Sequence, residues 1–313
     1  MPATVCFEPS PGRDFTVAVR HAIADPGCRE LVFREGRYDF HPAQARERFL
    51  FLSNNDAGLK RIAFPVFGRQ SLVIDGGGSD FVFHGGILPI VVADSADITL
   101  RDFQIDWACP FHGEATVLAA DCDGVEIEIP EAFPYEIIGG RLVLASGEGR
   151  NTPIGNILEF DAEKGETSYL ARDNYGIGER HTAVEVGRRR VRLQARFADP
   201  LPRPGNTLVL VDERREFPAI TLDGSSGIVL EDLAIHHAGA MGVLAQRTRD
   251  IRLERTSVAP RPGAGRTIST TADATHFVNC GGHIELHDCV FEKQMDDPLN
   301  VHGIYAVVEE RIN

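Results

Sequence analysis

The sequence predicts an all-β chain wound as a parallel β-helix, with a small antiparallel β-barrel inserted into it and a helix capping its N-terminal end. Three observations carry this expectation. Four segments share the pattern Ile-x-Leu-x-(Asp or Arg)-x-x-apolar: Ile98-Leu100-Asp102-Ile105, Ile228-Leu230-Asp232-Ile235, Ile251-Leu253-Arg255-Val258 and Ile284-Leu286-Asp288-Phe291. A degenerate fifth, Leu72-Val73-Ile74-Asp75, precedes them and runs into three glycines. Helical periodicity almost disappears after about residue 60. Finally, 31 glycines and 18 prolines in 313 residues make about one residue in six a turn-former, which favours many short strands over a helical bundle.

The repeat starts lie 26 residues apart between 72 and 98, 23 between 228 and 251, and 33 between 251 and 284. Coils of roughly two dozen residues built from short alternating strands are the mark of a solenoid. One coil cannot bury its own apolar face, and stacking similar coils creates a continuous core without lateral sheet edges. The competing reading, an antiparallel sandwich, makes the recurring Ile-x-Leu strands a coincidence. Near the start, Phe15, Val19, Ala22 and Ile23 fall on one helical face, with Asp14 as N-cap and Pro26-Gly27 as the stop. That helix is expected to cover the open end of the first coil. A second helix is expected over 42–51, opened by Pro42, and 30–33 with 36–40 read as a strand pair.

The register breaks between Trp107 and about Phe217. Hairpins replace it: 115–118 with 125–129 across Asp121-Cys122-Asp123-Gly124, 136–138 with 141–144 across Gly139-Gly140, and 183–186 with 191–193. The expected division is therefore 1–112 for the cap and first coils, 113–215 for the inserted barrel, and 216–313 for the later coils. A length that suggests two domains is met by insertion rather than by a linker.

The charge balance, 32 basic against 46 acidic residues, gives −14, with 43% hydrophobic and 25% charged residues. That composition excludes wholesale disorder. It also argues against nucleic acid and anionic membranes as partners, because phosphate contacts need a basic face. No apolar run approaches the length of a membrane span. The start, MPATVCFEPSPGRDF, lacks the basic and apolar regions of a signal peptide, so none is expected in this chain and the compartment is left open. Cysteines 6, 28, 109, 122, 280 and 289 form no C-x-x-C pair and are expected to be reduced and mostly buried. No histidine or cysteine spacing or calcium-loop pattern points to a metal. Gly76-Gly77-Gly78 reads as a turn between strands, without the spacing of a nucleotide loop. No cofactor is expected, and oligomeric state is not legible.

The chemistry is expected late in the chain. Residues 267–278 read as a strand with Ile268, Thr270 and Ala272 on one side and Ser269, Thr271 and Asp273 on the other. Adding one 23-residue coil to 273 gives 296, placing Asp296 and Gln294 beside Asp273 on the outer face. Two carboxyls so placed suit glycoside hydrolysis, one protonating the leaving oxygen while the other activates the nucleophile. Asp297 is turned inward by strict alternation, and Pro298 after it permits a bend that brings both aspartates into one pocket. The plain alternatives are a solvated Asp-Asp turn, a stacked amide ladder at Asn279 and Asn300, structural roles for His276 and His302, a surface His236-His237 pair, and a core Trp107 in place of a sugar-stacking one.

The block from Arg261 to Tyr305 carries a resemblance. Thr271-Ala272-Asp273-Ala274-Thr275-His276-Phe277-Val278-Asn279-Cys280, then Gln294-Met295-Asp296-Asp297 and Asn300-Val301-His302-Gly303-Ile304-Tyr305, resembles the signature of glycoside hydrolase family 110. Supporting similarity covers most of the chain, including 36–40, Ile105-Asp106-Trp107 and the hairpin region. The resemblance implies a right-handed, pectate-lyase-like parallel β-helix with inserted barrels. It implies an inverting, metal-independent α-1,3-galactosidase acting on terminal galactose of blood-group-B-type and linear glycans. It further implies Asp273 as general acid, Asp296 and/or Asp297 as base, and Trp107, His276, Asn300 and His302 at the substrate. The expected partner is an oligosaccharide or glycoconjugate with terminal α-galactose, and relatives that are secreted or periplasmic suggest the same compartment. Family members continue past the double aspartate, so a chain ending at Asn313 is expected to be C-terminally incomplete. Two other readings stand beside this one. A polygalacturonase-like hydrolase would hold uronates through Arg261, Arg266 or Lys293, and a non-catalytic β-helix would only bind glycans.

Overall fold

In a computed structural model of the protein, residues 3–55, 57–145, 147–172, 181–212, 214–305 and 309–310 are described. The Ile-x-Leu repeat forms one parallel sheet whose neighbours run Ala3–Phe7, Cys28–Phe33, Gln70–Phe83, Ala96–Trp107, Ser226–Ile235, Arg249–Glu254 and Gly281–His287. The motif positions face one another across the ladder: Ile98 pairs with Ile228, Leu100 with Leu230 and Ile105 with Ile235. Ile228 then pairs with Ile251 and Leu230 with Leu253, and these in turn with Ile284 and Leu286. Ile98, Leu100, Ile228, Leu230 and Leu253 are fully buried, so the repeat is the core requirement of each coil, restated once per turn.

The fifth motif position explains itself in the backbone. Asp102, Asp232, Arg255 and Asp288 have φ of 57°, 53°, 48° and 52°, a left-handed corner that tilts the chain out of its strand. Aspartate tolerates this region better than most residues. Arg255 is held there by Asp232, at 2.7 and 2.9 Å, and by Glu231 at 2.7 Å.

A second parallel sheet closes each coil: Gly58–Phe67, Leu88–Ala93, Ile220–Asp223, Val243–Gln246, Thr275–Val278 and Leu299–His302, with Arg46–Leu50 antiparallel at one edge. Side chains of both sheets meet in one core, joined at the N-terminal end by a cluster of rings that includes Phe33, Phe40, Phe64, Phe81 and Phe103. The helix Thr16–Ala24 seats Val19, Ala22 and Ile23 on that end, and the Asp14 Oδ1 accepts the Thr16 amide at 2.9 Å. Arg69, buried below it, donates to the carbonyls of Ile23 and Asp25 at 2.6 Å. The helix C-terminus is thereby given a cation, which its dipole favours.

Three local expectations are corrected. No second helix forms: Pro42–Gln44 is a single tight turn, and Arg46–Leu50 is a strand because its backbone pairs with Gly58–Phe67. Cys28–Phe33 and Arg37–Phe40 do not pair with each other, since both lie along the long strand Gln70–Phe83. The three glycines are a bulge inside that strand rather than a turn between strands. A Cβ on Gly76 would meet Phe103 Cβ at 2.3 Å, and one on Gly77 would meet the Phe33 carbonyl at 2.4 Å.

The inserted hairpins form where expected. Seven antiparallel strands run in the order Glu166–Thr167, Asn156–Asp161, Thr207–Val211, His112–Asp121, Gly124–Glu128, Arg190–Gln194 and Thr182–Gly187. Tyr135–Ile138, Arg141–Ala145 and Asn151–Pro153 make a further three-stranded sheet. This part has its own core, with Val125, Ile127, Leu142, Leu193 and Leu210 fully or almost fully buried. A small third cluster, Phe160, Val209 and Val211 against Ile268 and Met295, fastens it to the late coils. The cysteines are unpaired, but only Cys28 is buried; Cys6 and Cys122 are exposed, against expectation. Among the described residues no helix is long and apolar enough to cross a membrane.

Candidate active site

Asp273 lies in the chain that leads into Thr275–Val278. Residues 267–274 are not the alternating strand expected: Ile268, Ser269, Thr270, Ala272 and Asp273 are all buried, from both supposed faces. Neighbouring coils supply the partners that a ladder would have given. Ser269 N donates to Lys293 O at 2.9 Å, Thr271 N to Ala238 O at 3.1 Å, and Met295 N to Thr270 O at 3.1 Å. The Ser269 hydroxyl donates to Glu292 O at 2.8 Å.

The coil step here is 24 residues rather than 23, because Thr275 pairs with Leu299. The 23-residue step belongs to the other sheet, where Ile228 meets Ile251, and the connecting loops absorb the difference. Asp297 is consequently the residue across from Asp273, and its carbonyl accepts the Ala274 amide at 2.9 Å. The Asp297 Oδ2 accepts from Asn300 Nδ2 at 3.0 Å. Asp296 turns towards the inserted barrel, where Arg215 Nη2 donates to its Oδ2 at 2.5 Å.

Arg215 joins the two carboxylates: its Nη1 also lies 3.9 Å from Asp273 Oδ1. That oxygen is buried and has no hydrogen-bond partner among the described residues. The sequence reading missed Arg215. It sits outside any motif, just past the exit strand Thr207–Val211, and the only signal for it was the return of coil register near Phe217. A cavity of about 170 Å³ opens here, lined by Asn156, Val211, Asp212, Arg215, Thr271 and Asp296.

The other Asp273 oxygen, Oδ2, is hydrogen-bonded to Nδ1 of His276. His276 is fully buried, and its Nε2 meets His302 Nε2 at 2.9 Å and Asn54 Nδ2 at 3.3 Å. His302 Nδ1 donates to the Gly303 carbonyl at 2.7 Å. His276 therefore stands behind Asp273 rather than beside an open pocket. Asn300 pairs in register with His276 and its side chain bonds Asp297, so it forms no ladder with Asn279, whose backbone N–H donates to the His302 carbonyl at 2.8 Å.

Trp107 is not placed to stack on a sugar. Its ring is 3% exposed, packed against Phe83, Phe111 and His237, and its Nε1 donates to Gly85 O at 3.2 Å. His236 and His237 are likewise interior, not surface. His237 accepts the Phe111 amide at 2.9 Å and donates from Nδ1 to Ser269 O at 2.7 Å, tying the entry to the barrel to the aspartate-bearing chain. Burial, with the positive fields of His112 and Arg266, holds its pKa well below the usual histidine value.

Two buried carboxylates anchor the same chain at its start. Glu114 accepts from the Thr267 amide at 2.6 Å, the Thr267 hydroxyl at 2.7 Å and His112 at 3.0 Å. Asp106 accepts from Arg266 at 2.6 Å and Arg261 at 3.0 Å. Burial pushes both carboxyls up, but the hydrogen bonds and charges of His112 and Thr267 at Glu114, and of Arg266 and Arg261 at Asp106, outweigh it and leave both below the ordinary range. Arg261 and Arg266, candidates for holding a uronate, are thus committed to Asp106 and, for Arg261, to Asp80 at 2.8 Å. Some way off, His41, His84 and Glu148 bring one ligand-type atom each within 4.8 Å of one another, with His41 bonded to Glu148 at 3.0 Å and His84 to Asp39 at 2.8 Å.

Stacked parallel coils define a β-helix protein, and this one brings a buried carboxylate, an arginine and a second carboxylate together beside a small pocket. Residues 113–208 match the family model described as GLAA-B beta-barrel domain I. Over 311 residues, 97% of the chain, the sequence is 44% identical to alpha-1,3-galactosidase A of Shewanella woodyi, covering 51% of that relative. It is 33% identical over 285 residues to alpha-1,3-galactosidase B of Phocaeicola vulgatus, covering 90% of this chain and 47% of the relative. For alpha-1,3-galactosidase B of Parabacteroides distasonis the identity is 34% over 284 residues, 89% of this chain and 46% of the relative. The chain is similar along most of its length to these α-1,3-galactosidases A and B and spans about half the length of the curated relatives it matches.

Proposed function

We propose that the protein is an exo-acting glycoside hydrolase that releases terminal α-1,3-linked galactose from an oligosaccharide or glycoconjugate, with inversion. The observation that supports this best is the buried Asp273, linked through Arg215 to Asp296 at the mouth of the small pocket. In the reaction the glycosidic oxygen takes the Asp273 proton as its bond to the anomeric carbon breaks. A water attacks that carbon from the opposite face and gives its proton to Asp296 or Asp297. Of the two Asp273 oxygens, Oδ2 is held by Nδ1 of the buried His276, which leaves Oδ1, on the Arg215 side, to deliver the proton. Arg215 lies within ion-pair reach of both Asp273 and Asp296. Of the three basic residues the polygalacturonase-like alternative would use, Arg261 and Arg266 are taken up by Asp106 and Asp80.

The test is hydrolysis of Gal-α-1,3-Gal beside polygalacturonate, with the anomer first released followed by NMR. β-Galactose is expected. Asp273→Asn is expected to cost about 10²–10⁴-fold in kcat, with Asp296→Asn and Asp297→Asn showing which of the two is the base. Wild-type release by Asp273→Asn would remove the mechanism, and glycan binding without release would favour a non-catalytic role.

A further inference from the structure

The first hairpin reaches the late coils from the other end of the second sheet. Arg46–Leu50 stands at one edge of that sheet and Thr275–Val278 next to the opposite edge, yet the turn that follows Leu50 touches both Gln246 and His276. Leu52 is buried in the core of the solenoid. Gln246 grips the backbone on either side of it: its Oε1 accepts from the Ser53 amide at 2.9 Å, and its Nε2 donates to the Phe51 carbonyl at 2.9 Å. Both ends of that side-chain amide are used, so only one orientation satisfies it. The turn is also closed within itself, the Asn55 backbone N–H donating to Leu52 O at 3.1 Å and Asn55 Nδ2 to Ser53 O at 3.2 Å. Between them Asn54 has φ of 53°, a left-handed conformation that asparagine tolerates. Its Nδ2 lies 3.3 Å from Nε2 of His276. Gln246 and His276 share one face of the sheet, since Leu244 pairs with His276 and Gln246 follows Leu244 by two residues.

We infer that Asn54 is a positioning residue for the aspartate proposed as general acid, acting on it through His276. The inference deepens the glycosidase reading and rests on it for the role of Asp273. The connection is two contacts long: Asn54 Nδ2 to His276 Nε2, then His276 Nδ1 to Asp273 Oδ2. His276 is fully buried and Asp273 is 1% exposed, so a ring nitrogen left unpaired there is not compensated by bulk water. Nε2 has a second neighbour, His302 Nε2 at 2.9 Å. With its Nδ1 proton committed to the Gly303 carbonyl at 2.7 Å, a neutral His302 offers Nε2 only as an acceptor. His302 therefore serves the tautomer of His276 that carries its proton on Nε2. Once Asp273 has given up its proton, its Oδ2 calls for a donor, and a neutral His276 supplies one by carrying its proton on Nδ1. Nε2 is then bare, and the donor that meets it is the Asn54 amide. Asn54 thus holds the ring in the tautomer and rotation that stabilise the ionised acid, the state formed as the glycosidic bond breaks.

Two substrates that differ in their need for an acid test this on the full chain. Gal-α-1,3-Gal must lose a sugar hydroxyl and requires the proton, whereas α-galactosyl fluoride releases fluoride with little help from one. Asn54→Gly removes the side chain and leaves the left-handed turn unstrained. Its kcat on Gal-α-1,3-Gal is expected to fall about tenfold with KM nearly unchanged, while its kcat on α-galactosyl fluoride stays within about twofold of wild type. Asn54→Asp keeps the size and the turn but has no donor, and is expected to show the same split. Asp273→Asn is the reference, with a wider split of the same kind. Equal losses on both substrates, or none on either, in Asn54→Gly overturn the inference, and so does wild-type behaviour of Asn54→Asp, which would mean that no donor is needed. In each of these cases a split in Asp273→Asn leaves the glycosidase reading standing. If Asp273→Asn shows no split, or the wild-type chain hydrolyses neither substrate, the acid role of Asp273 falls and that of Asn54 falls with it.

Discussion

The two parallel sheets share the same coils, yet one reads as a repeat and the other does not. In the Ile-x-Leu sheet the coils of Ile98, Ile228 and Ile251 contribute the same two buried aliphatic residues and the same left-handed corner, and that of Ile284 repeats them half-buried. In the second sheet the equivalent row runs Ile90, Ile220, Val243, Thr275 and Leu299, and four residues earlier it becomes Gly86, Glu216, Gly239, Thr271 and Met295. Stacking is satisfied by any side chain that fills its layer, so one sheet suffices to keep the coils in step. The other is left free to vary, and that is where Asp273, Asp296, Asp297 and Arg215 gather. Regularity marks what holds the solenoid together, and departures from it mark where a ligand is met.

The largest effect is expected where the repeat sheet turns towards the site. Asp106, at the end of Ala96–Trp107, is the shared acceptor of Arg266 and Arg261. Asp106→Ala leaves two partly or wholly buried guanidinium groups without it, and breaking such an arrangement typically costs about 3–5 kcal/mol. Urea unfolding should show that loss together with reduced turnover, because Arg266 leads into the chain that carries Asp273. Loss of stability with unchanged kcat would show that the site is held from the barrel side alone.

Within the repeat sheet the two readouts should separate. Leu230→Ala removes a fully buried side chain from the middle of the ladder, at a cost of about 2–5 kcal/mol. Turnover per folded molecule, measured well below the melting temperature, should stay at the wild-type value. A fall in kcat there would mean that the aliphatic ladder also sets the geometry of the site.

A pH profile distinguishes the sheets without mutation. The folded pKa of His237 is lowered, so below about 6.5 the unfolded chain takes up a proton that the folded chain refuses. Its contribution is present above that pH and is lost as pH falls, with a slope of at most about 1.4 kcal/mol per pH unit for one group. Burial also lowers His236, adding in the same direction. Asp106 and Glu114 are lowered carboxyls, and their contribution is lost only as pH falls below 3.8 and 4.5, their ordinary values. Urea midpoints should therefore decline between pH 6.5 and 5, before these carboxylates titrate, and His237→Gln should flatten that decline. A flat wild-type profile over this range would contradict a neutral, buried His237.

What the sequence made legible follows the same division. The Ile-x-Leu ladder is visible because every coil repeats one burial requirement, and the hairpins because their turn residues impose local chemistry. Asp273, Asp296 and Asp297 were reachable through a motif, and coil arithmetic placed them one residue out, since a step taken from one sheet does not transfer to the other. Arg215 carries no local pattern, for what makes it notable is the meeting of two coils across an insertion. His237 looked like surface because nothing adjacent in sequence covers it; Phe111 and Ser269 do. Pro42 suggested a helix start, but the pairing of Arg46–Leu50 with Gly58–Phe67 offered the backbone more hydrogen bonds than one further turn.

The smallest prediction asks why the repeat sheet keeps side chains at its corners. Left-handed backbone costs an ordinary L-residue roughly 1–2 kcal/mol relative to glycine, and less for aspartate. Glycine recovers that strain but gives the unfolded chain more freedom, which offsets about 0.4–1 kcal/mol. At Asp288, with φ of 52° and no hydrogen-bond partner for its carboxylate among the described residues, the two terms nearly cancel. Asp288→Gly should change stability by less than about 0.5 kcal/mol. Asp232 has the same backbone, with φ of 53°, but its carboxylate accepts twice from Arg255, itself at the corner of the next coil. Asp232→Gly should therefore be worse than Asp288→Gly by up to about 1 kcal/mol, the most an exposed pair usually contributes, and the difference should narrow in high salt. Equal effects at both corners would mean that aspartate is kept there for its backbone tolerance alone, and that charge pairing between coils contributes nothing to the register.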